Sequence, residues 1–242
     1  MTKRQVRSNV GALRKRTNQP LNPHFSVGEA PVTDPAVLAR TRDRLCPRYH
    51  QLDLCKPPVA LPDLGPFFDK TRLALRPAVV SFHFGLEWPE AVQALKAAGI
   101  TFLSTATTVA EAVALAATGI DAIIAQGYEA GGHRGSHRPT DPGQGVGTLA
   151  LVPQIVDAAS LPVIAAGGIG DGRGIAAAFA LGASGVQMGT ACFPCPETGT
   201  GPARRALLER ATETDTMMTD AVYGRSARAY RSAYTEAMEA GR

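Results

Sequence analysis

The feature that most constrains the fold is a recurring junction at which a helix leads directly into a strand. An apolar pattern with helical spacing ends on a glycine and runs directly into a strand in A-L-K-A-A-G-I (94–100), A-L-A-A-T-G-I (114–120) and A-F-A-L-G-A (178–183). Glycine adopts the left-handed conformation at a helix C-terminus without strain, so the chain can turn back within a few residues. Strand–helix–strand connections repeated in this way predict parallel βα units.

Six strands and the helices between them can be placed on this pattern. The predicted strands lie near 21–27, 78–84, 101–106, 122–127, 162–168 and 185–190. The predicted helices span 89–99, 108–119, 148–159 and 172–183, preceded by an amphipathic helix at 3–17 and a helix from Asp34 to about Leu45. Asp34 is a suitable N-cap, and Pro35 suits the first helical position. The proline-rich stretch at 53–66 predicts an irregular crossover rather than a flexible linker, because apolar residues continue through it.

Two parallel architectures are built from such units, an open doubly wound sheet and a (β/α)8 barrel. A doubly wound dinucleotide fold predicts G-x-G-x-x-G after its first strand, and the early strands here carry no such loop. Glycines instead follow several successive strands, which is typical of barrels whose loops build one site at one face. We therefore predict an α/β fold of the TIM (β/α)8-barrel type in a single domain, residues 1–242. Because a closed barrel has eight strands, about six βα units are expected to be present and two to be missing.

Composition indicates an ordinary soluble globular protein. Hydrophobic residues make up 45% of the 242 residues and charged residues 19%. Apolar runs stay well short of the ~20 residues of a membrane span, and the N-terminus lacks the apolar segment of a secretory signal. We therefore predict a cytoplasmic protein without membrane association. The net charge of +4 is concentrated near the N-terminus without interleaved aromatic residues, which favours a solvated helix face over a nucleic-acid site.

The four cysteines predict free thiols rather than a metal site. Cys192 and Cys195 have C-x-x-C spacing, but zinc would need a second pair, and Cys46 and Cys55 are nine residues apart. A redox pair at 192 and 195 is the alternative.

The stretch from Asp121 to Gly135 is the leading candidate for a functional site. Its apolar strand stops at Gln126, and four glycines then fall within nine residues, with Glu129, His133 and Arg134 among them. A buried strand that ends in an acid, an imidazole and bare backbone amides indicates a binding site. P-V-I-A-A-G-G-I-G-D-G (162–172) and G-V-Q-M-G-T (185–190) have the same design. We therefore predict that these three strand ends share one pocket.

Linked motifs in the same order resemble the nitronate monooxygenase family, formerly called 2-nitropropane dioxygenases, which are FMN-dependent barrel enzymes. The motifs are V-V-S-F-H-F-G-L (79–86), L-S-T-A-T-T-V-A-E-A (103–112), A-Q-G-Y-E-A-G-G-H-R-G (125–135), G-T-L-A-L-V-P-Q-I-V-D (147–157), P-V-I-A-A-G-G-I-G-D-G-R-G (162–174) and G-V-Q-M-G-T (185–190). The resemblance covers about Ala78 to Met238 almost continuously, and more weakly 5–45.

The resemblance implies both an activity and a set of site residues. The activity is oxidation of alkyl nitronates, such as propionate 3-nitronate, by FMN and O2 to an oxo compound and nitrite. His133 is implied as the catalytic base or electrostatic partner beside flavin and nitronate, and His83 is expected to face the same substrate. The implied flavin-binding residues are Gln126, Gly131, Gly167, Gly168, Gln187, Met188, Gly189 and Thr190.

These residue types suit that chemistry. Glycine amides can approach a phosphate dianion closely, and barrels often bind phosphate in the loops after their last two strands. The Gln126 side chain can hydrogen-bond the edge of the flavin ring. An anionic nitronate would raise the pKa of a neighbouring His133.

Other polar residues have a structural interpretation. Glu129 is expected to cap or brace its loop, and Arg134 and Arg173 to be surface charges. The remaining histidines are interpreted as ordinary loop or surface residues, namely His24, His50 and His137.

The chain departs from the family's pattern near both ends. Family members begin with two further strands, place an asparagine where His24 stands, and continue past the position of Met238. Three alternatives follow: a truncated, inactive member whose partners would be chaperones or a chain completing the sheet; an NAD(P)H-dependent FMN reductase of the enoyl reductase type; and a non-catalytic binding protein. A homo-oligomer is also left open.

Overall fold

Six parallel strands form the main sheet of this computed structural model, which describes residues 3–27, 34–51, 53–54, 77–86, 89–221 and 224–240. The strands of the described residues are β1 (His24–Ser26), β2 (Val79–His83), β3 (Thr101–Ala106), β4 (Ala122–Gln126), β5 (Gly132–His133), β6 (Val163–Ala166), β7 (Gly185–Gln187), β8 (Thr216–Thr219) and β9 (Ala227–Tyr230). The main sheet has the order β1-β2-β3-β4-β6-β7, with every neighbouring pair parallel. All six predicted strands are confirmed.

The helices also follow the predicted pattern. In the described residues they are α1 (Lys3–Arg14), α2 (Pro35–Gln51), α3 (Pro89–Ala97), α4 (Val109–Ala117), α5 (Thr148–Ala158), α6 (Gly172–Ala180), α7 (Pro202–Arg210) and α8 (Ala233–Ala240). Asp34 caps α2 as predicted, because its Oδ1 accepts a hydrogen bond from the Ala36 amide at 2.8 Å. The helix runs past the predicted end near Leu45, since it continues through Pro47. The predicted crossover at 53–66 lies outside the described residues except for its first two.

The main sheet is apolar on both faces. The outer face and the helices share one buried cluster, whose fully buried side chains include Phe82, Phe102 and Ile123 from the sheet and Leu95 and Ile155 from the helices. A second, smaller cluster covers the inner face and consists of Leu103, Ala122, Ile124 and Ala166, with Val79 and Ile164 packed against it. Successive side chains alternate between faces. The polar residues that follow the strands lie at one edge of this sheet, as they do in a barrel.

A small antiparallel sheet, which the sequence analysis did not predict, lies beside the carboxyl end of β4. Its order is β5-β9-β8, and β5 pairs with β9 through Gly132 opposite Arg228 and His133 opposite Ala227. The two-residue β5 is too short to show any periodicity in the sequence. The β8–β9 pair thereby connects the C-terminal part of the chain to the segment around His133.

The described part of the chain contains no helix that combines the length and the apolarity needed to span a membrane.

Candidate active site

The three strand ends that share a sequence design lie in contact at the carboxyl edge of the main sheet. A methyl group placed on Gly131, after β4, would come within 2.5 Å of Thr190 Oγ1, after β7. A methyl group on Gly167, after β6, would lie 2.9 Å from the Ala130 amide nitrogen. Real Cβ atoms do not approach other atoms so closely. The glycine backbone of each loop is therefore packed directly against the neighbouring loop. We call residues 127–135 the His133 loop.

Gln126 holds the His133 loop from inside. It is buried, its Nε2 donates to the His133 carbonyl at 3.0 Å, and its Oε1 accepts from the Gly135 amide at 2.8 Å. Both ends of the carboxamide are therefore engaged with the backbone that flanks Arg134. In the structure Gln126 is an internal tether of this loop, and its predicted contact with the edge of the flavin ring stays a prediction.

Arg134 is buried, and its interpretation as a surface charge was wrong. Its Nη1 donates to the Gln126 carbonyl at 2.8 Å and its Nη2 to the Thr107 carbonyl at 3.2 Å. Burial lowers the pKa of Arg134, while the nearby carboxylates of Glu111 and Glu129 act in the opposite direction. An arginine can be buried in this place because carbonyl groups at the strand ends accept its N–H groups.

Two arginines flank the ring of Tyr128 and fasten the loop to the small sheet. The guanidinium carbon of Arg228 lies 5.1 Å from the ring centroid and that of Arg134 lies 5.9 Å from it. Arg228 also donates from Nη2 to the Tyr128 carbonyl at 2.9 Å and from Nη1 to Thr216 Oγ1 at 3.1 Å. The side chains of the β8–β9 pair thus complete the support of the His133 loop.

Glu129 caps a helix, which confirms its structural interpretation. The N-cap residue of α5, Gly147, offers no side chain, and Glu129 Oε2 instead accepts from the Thr148 amide and the Thr148 hydroxyl, each at 2.9 Å. A methyl group on Gly127 would come within 1.9 Å of Thr148 Oγ1. The start of α5 is therefore packed directly against the His133 loop, and position 127 accommodates only glycine.

Three histidines follow one another from β1 to β5, the first of them at the start of its strand. His24 and His83 pack edge to face with ring centroids 4.2 Å apart, and His83 Nδ1 lies 2.7 Å from Thr105 Oγ1. His24 Nδ1 is also 2.8 Å from Ser81 Oγ. His24 is exposed, in agreement with its interpretation as a surface residue, but it is the first residue of β1 and contacts a predicted site residue. The rings of His83 and His133 flank Phe84, and the expectation that His83 faces the same substrate stays a prediction.

Phe84 holds an unusual backbone conformation between these histidines. Its φ is +72°, in the left-handed region, and its ring lies edge-on to His133 with centroids 5.9 Å apart. A bulky residue in this conformation costs about 1–2 kcal/mol relative to ordinary backbone. Strain of this size indicates that the position of the ring matters to the site.

The pKa values of all three histidines are lowered, that of His24 because its ring loses hydration where it packs. The pKa of His83 falls to about 3, first because of burial and then because of the positive charges that His24 and His133 would carry. The pKa of His133 falls through loss of hydration where its ring packs and through the charge of Arg225. The rise in this pKa that was predicted from the sequence depends on a bound anionic substrate. In the protein alone, loss of hydration is the larger cause of the lowered pKa, and the charge of Arg225 adds to it.

The loops after β6 and β7 offer accessible backbone suited to a phosphate. Gly168, Gly189 and Thr190 are exposed, and a methyl group on Gly189 would meet no atom within 4 Å. Among the described residues, none accepts a hydrogen bond from the amides of Gly168 or Gly189. The adjacent Gln187 and Met188 are half-buried. These segments fit the anionic end of a flavin nucleotide.

The start of α6 is already occupied by a carboxylate. Asp171 accepts hydrogen bonds from the amides of Arg173 and Gly174 at 3.0 and 3.2 Å. The Arg173 guanidinium lies 2.5 Å from the same carboxylate and is 94% exposed, which confirms that Arg173 is a surface charge. An anion at this edge would therefore meet the glycine segments of the two loops rather than the first turn of α6.

Known proteins resemble this chain over its whole length. The family model for nitronate monooxygenase matches residues 1–242. The nitronate monooxygenase of Pseudomonas aeruginosa is 44% identical over 228 residues, which is 92% of this chain and 65% of that protein. The nitronate monooxygenase of Paraburkholderia phytofirmans is 42% identical over 237 residues, which is 95% of this chain and 64% of that protein. The chain thus spans somewhat less than two thirds of the length of these relatives.

Solved structures resemble it as well. A nitroalkane oxidase from Streptomyces ansochromogenes superposes with a TM-score of 0.84 at 35% identity, covering 98% of this chain and 68% of that one. FabK from Thermotoga maritima superposes with a TM-score of 0.70 at 29% identity, covering 98% and 62%. With the six-stranded parallel sheet, these similarities confirm the predicted α/β fold of the TIM-barrel type.

Proposed function

Because this chain belongs to the nitronate monooxygenase family, we propose that it oxidises alkyl nitronates with O2 to an oxo compound and nitrite, using FMN. The observation that carries the proposal is the contact of the three glycine-bearing strand ends beside His133, since it brings an anion-binding backbone and a titratable base to one edge. The relatives named for this activity extend beyond the part that this chain spans, so the activity of this chain is itself the quantity to test.

We infer that the exposed loops after β6 and β7 hold FMN. The amides of Gly168, Gly189 and Thr190 would receive its phosphate, and Gly131 and Gly167 allow the loops beside them to pack closely. Gln187 and Met188 would border the ring, while Gln126 acts through the His133 loop that it tethers. When bound, FMN would supply the oxidant that takes electrons from the nitronate and returns them to O2.

His133 would hold or accept a proton beside the bound nitronate. Its lowered pKa keeps the imidazole neutral at pH 7, so that the ring nitrogen can accept a proton. An anionic nitronate next to the ring would raise the pKa of His133 again. Substrate binding and protonation of His133 would therefore be coupled. His83 would remain neutral and support the ring of Phe84.

A second candidate is an NAD(P)H-dependent FMN reductase of the enoyl reductase type. The stretches G-G-H (131–133) and A-A-G-G-I-G-D-G-R-G (165–174) favour it, because such reductases share these motifs. The two candidates differ in the electron donor.

The visible spectrum of the purified chain, recorded anaerobically with FMN, tests both. We expect bound flavin to be bleached by propionate 3-nitronate but not by NADH, and to recover its colour when O2 is admitted. Bleaching by NADH alone would favour the reductase. A protein that binds no flavin would contradict both candidates and would favour a non-catalytic role.

A further inference from the structure

We propose that Arg225 is a further substrate-binding residue of this site, whose guanidinium, placed over the ring of Phe84, binds the anionic oxygen atoms of the nitronate in front of His133. This inference rests on the proposed function for the identity of the anion. The role of Arg225 as an anion-binding cation rests on geometry alone.

Arg225 and His133 flank the same aromatic ring. The Arg225 guanidinium carbon lies 4.4 Å from the ring centroid of Phe84, and that ring meets the His133 imidazole edge-on with centroids 5.9 Å apart. One side chain thus positions both a fixed cation and a titratable base. A small anion that contacts the cation at this edge also lies near the base.

Among the described residues, Arg225 has few hydrogen-bonding partners. A guanidinium has five N–H donors, and the described contacts of Arg225 use one, from Nη1 to the Ser136 carbonyl at 3.3 Å. Within the described residues, no carboxylate forms an ion pair with it. The side chain is half-buried, which strengthens its attraction for an anion relative to a fully hydrated cation.

The other two arginines at the loop are already committed to protein carbonyl and hydroxyl groups. Arg134 donates to the carbonyls of Gln126 and Thr107, and Arg228 donates to the carbonyl of Tyr128 and the hydroxyl of Thr216. These two cations support the His133 loop. The described contacts of Arg225 leave most of its N–H groups available for a ligand.

The backbone at Phe84 gives an independent reason to assign Arg225 a function. A glycine would adopt the left-handed conformation at position 84 freely, whereas phenylalanine is strained there. The ring that this conformation presents contacts Arg225 on its face and His133 at its edge. The strained residue therefore acts as the platform that sets the distance between cation and base.

A cation in this place has two effects on a nitronate. The planar fork of a guanidinium matches the two oxygen atoms of a planar, singly charged group. Loss of hydration and the same charge both lower the pKa of His133, and an anion that offsets the charge would raise this pKa again. Arg225 thus attracts the substrate and contributes to keeping its neighbour neutral.

Nitrate, a planar monoanion that is not a substrate for oxidation, is a suitable binding probe. We would compare the FMN-loaded protein with Arg225→Gln and Arg225→Lys, and with Arg204→Gln as a matched control. Arg204 is an exposed arginine whose guanidinium carbon lies 4.9 Å from the Phe193 ring centroid, so the control removes the same charge and the same type of contact elsewhere. Circular dichroism establishes that each variant is folded.

We expect Arg225→Gln to raise the Kd of nitrate and the KM for propionate 3-nitronate about tenfold or more, because a charge-assisted hydrogen-bonding pair is lost. Arg225→Lys should recover part of this loss, and Arg204→Gln should change neither constant. Histidine NMR, with the His133 signal assigned from His133→Asn, should show a higher pKa for His133 in Arg225→Gln. In the unmodified protein, nitrate itself should raise the pKa of His133.

The inference is overturned if folded Arg225→Gln binds nitrate as tightly as the unmodified protein, or if nitrate leaves the His133 titration of the unmodified protein unchanged. The latter measurement needs no variant and decides the matter even if Arg225→Gln does not fold. Failure of the proposed function looks different: nitrate binding would depend on Arg225 while propionate 3-nitronate leaves the flavin oxidised.

Discussion

Among the single residues of this site, the histidines are distinguished by their lowered pKa values, which favour the neutral imidazole. His24, His83 and His133 follow one another from β1 to β5, and a proton on one raises the cost of a proton on the next. Burial is the larger cause, and together the two effects bring the pKa of His83 to about 3. The edge therefore presents Arg225 as a fixed charge beside histidines whose lowered pKa values favour their neutral forms.

Replacing His133 by Asn should lower turnover of propionate 3-nitronate by about a hundredfold or more, which is the usual contribution of a proton-transfer group. Flavin binding should persist, because the contact of Gln126 with position 133 is made to the backbone carbonyl. Steady-state kinetics and the flavin-to-protein absorbance ratio measure the two effects. His50→Asn, on exposed α2, is the control, and unchanged turnover in His133→Asn would remove His133 from the mechanism.

Stability should fall in mild acid because of His83. Its pKa is lowered from 6.5 in the unfolded chain to about 3 in the fold, so its contribution is fully present above pH 6.5 and is lost as pH falls from 6.5 toward 3. The loss is at most about 1.4 kcal/mol per pH unit for this one group. Urea unfolding between pH 7 and pH 4 should show a shallower pH dependence in His83→Gln than in His50→Gln. Equal slopes in the two variants would contradict the assignment.

Among the elements, the His133 loop is held by its neighbours rather than by its own turns. Glu129 caps α5, Gln126 ties the two sides of the loop together, and the small sheet pairs with β5. Such cross-connections place the residues of three strand ends in one arrangement before any ligand binds, which is the preorganisation that binding sites need.

Replacing Glu129 by Ala should destabilise the protein by about 1–2 kcal/mol, because the first turn of α5 loses its only described side-chain cap and the Thr148 amide loses its acceptor. Glu129→Gln, which keeps one acceptor oxygen, should cost less. The midpoint of urea unfolding measures both, with Glu209→Ala on the exposed surface of α7 as the control. A loss in Glu129→Ala no larger than in Glu209→Ala would show that the cap does not matter.

The strands and helices were predictable because each carries its period within its own residues, as in the strand 122–126 and the helix 109–117. The small sheet was not, because β5 has two residues and its partner lies far along the chain. The prediction that Arg134 is a surface charge was wrong for a related reason. Charged residues are seldom buried, and the carbonyl groups that accept its N–H donors come together only in the folded protein. Arg225 was missed because only the fold brings it to Phe84.

For the molecule as a whole, we infer that residues 1–242 behave as one FMN-binding domain, since the C-terminal strands pair with the loop after β4. FMN should then stabilise the entire fold. At a concentration of a hundred times its Kd, a ligand that binds the folded state adds about 2.7 kcal/mol.

Riboflavin, which has the same ring but no phosphate, should raise the Tm less than FMN at equal concentration. The difference isolates the phosphate contacts assigned to the exposed glycine segments of the loops after β6 and β7. Thermal unfolding followed by circular dichroism measures both shifts. Equal shifts for the two compounds would show that the phosphate is not bound by these loops.

The pairing of β5 with β9 also has a consequence for how the protein is made. Arg228 donates to the carbonyl of Tyr128 across a separation of 100 residues. During synthesis the parallel strands can associate in chain order, each soon after it leaves the ribosome, whereas the His133 loop must wait until β9 has been translated. Contacts between residues so distant in sequence form late, because the closure of a long loop precedes them. We therefore expect the nascent chain to form its parallel framework first and to fix the His133 loop last.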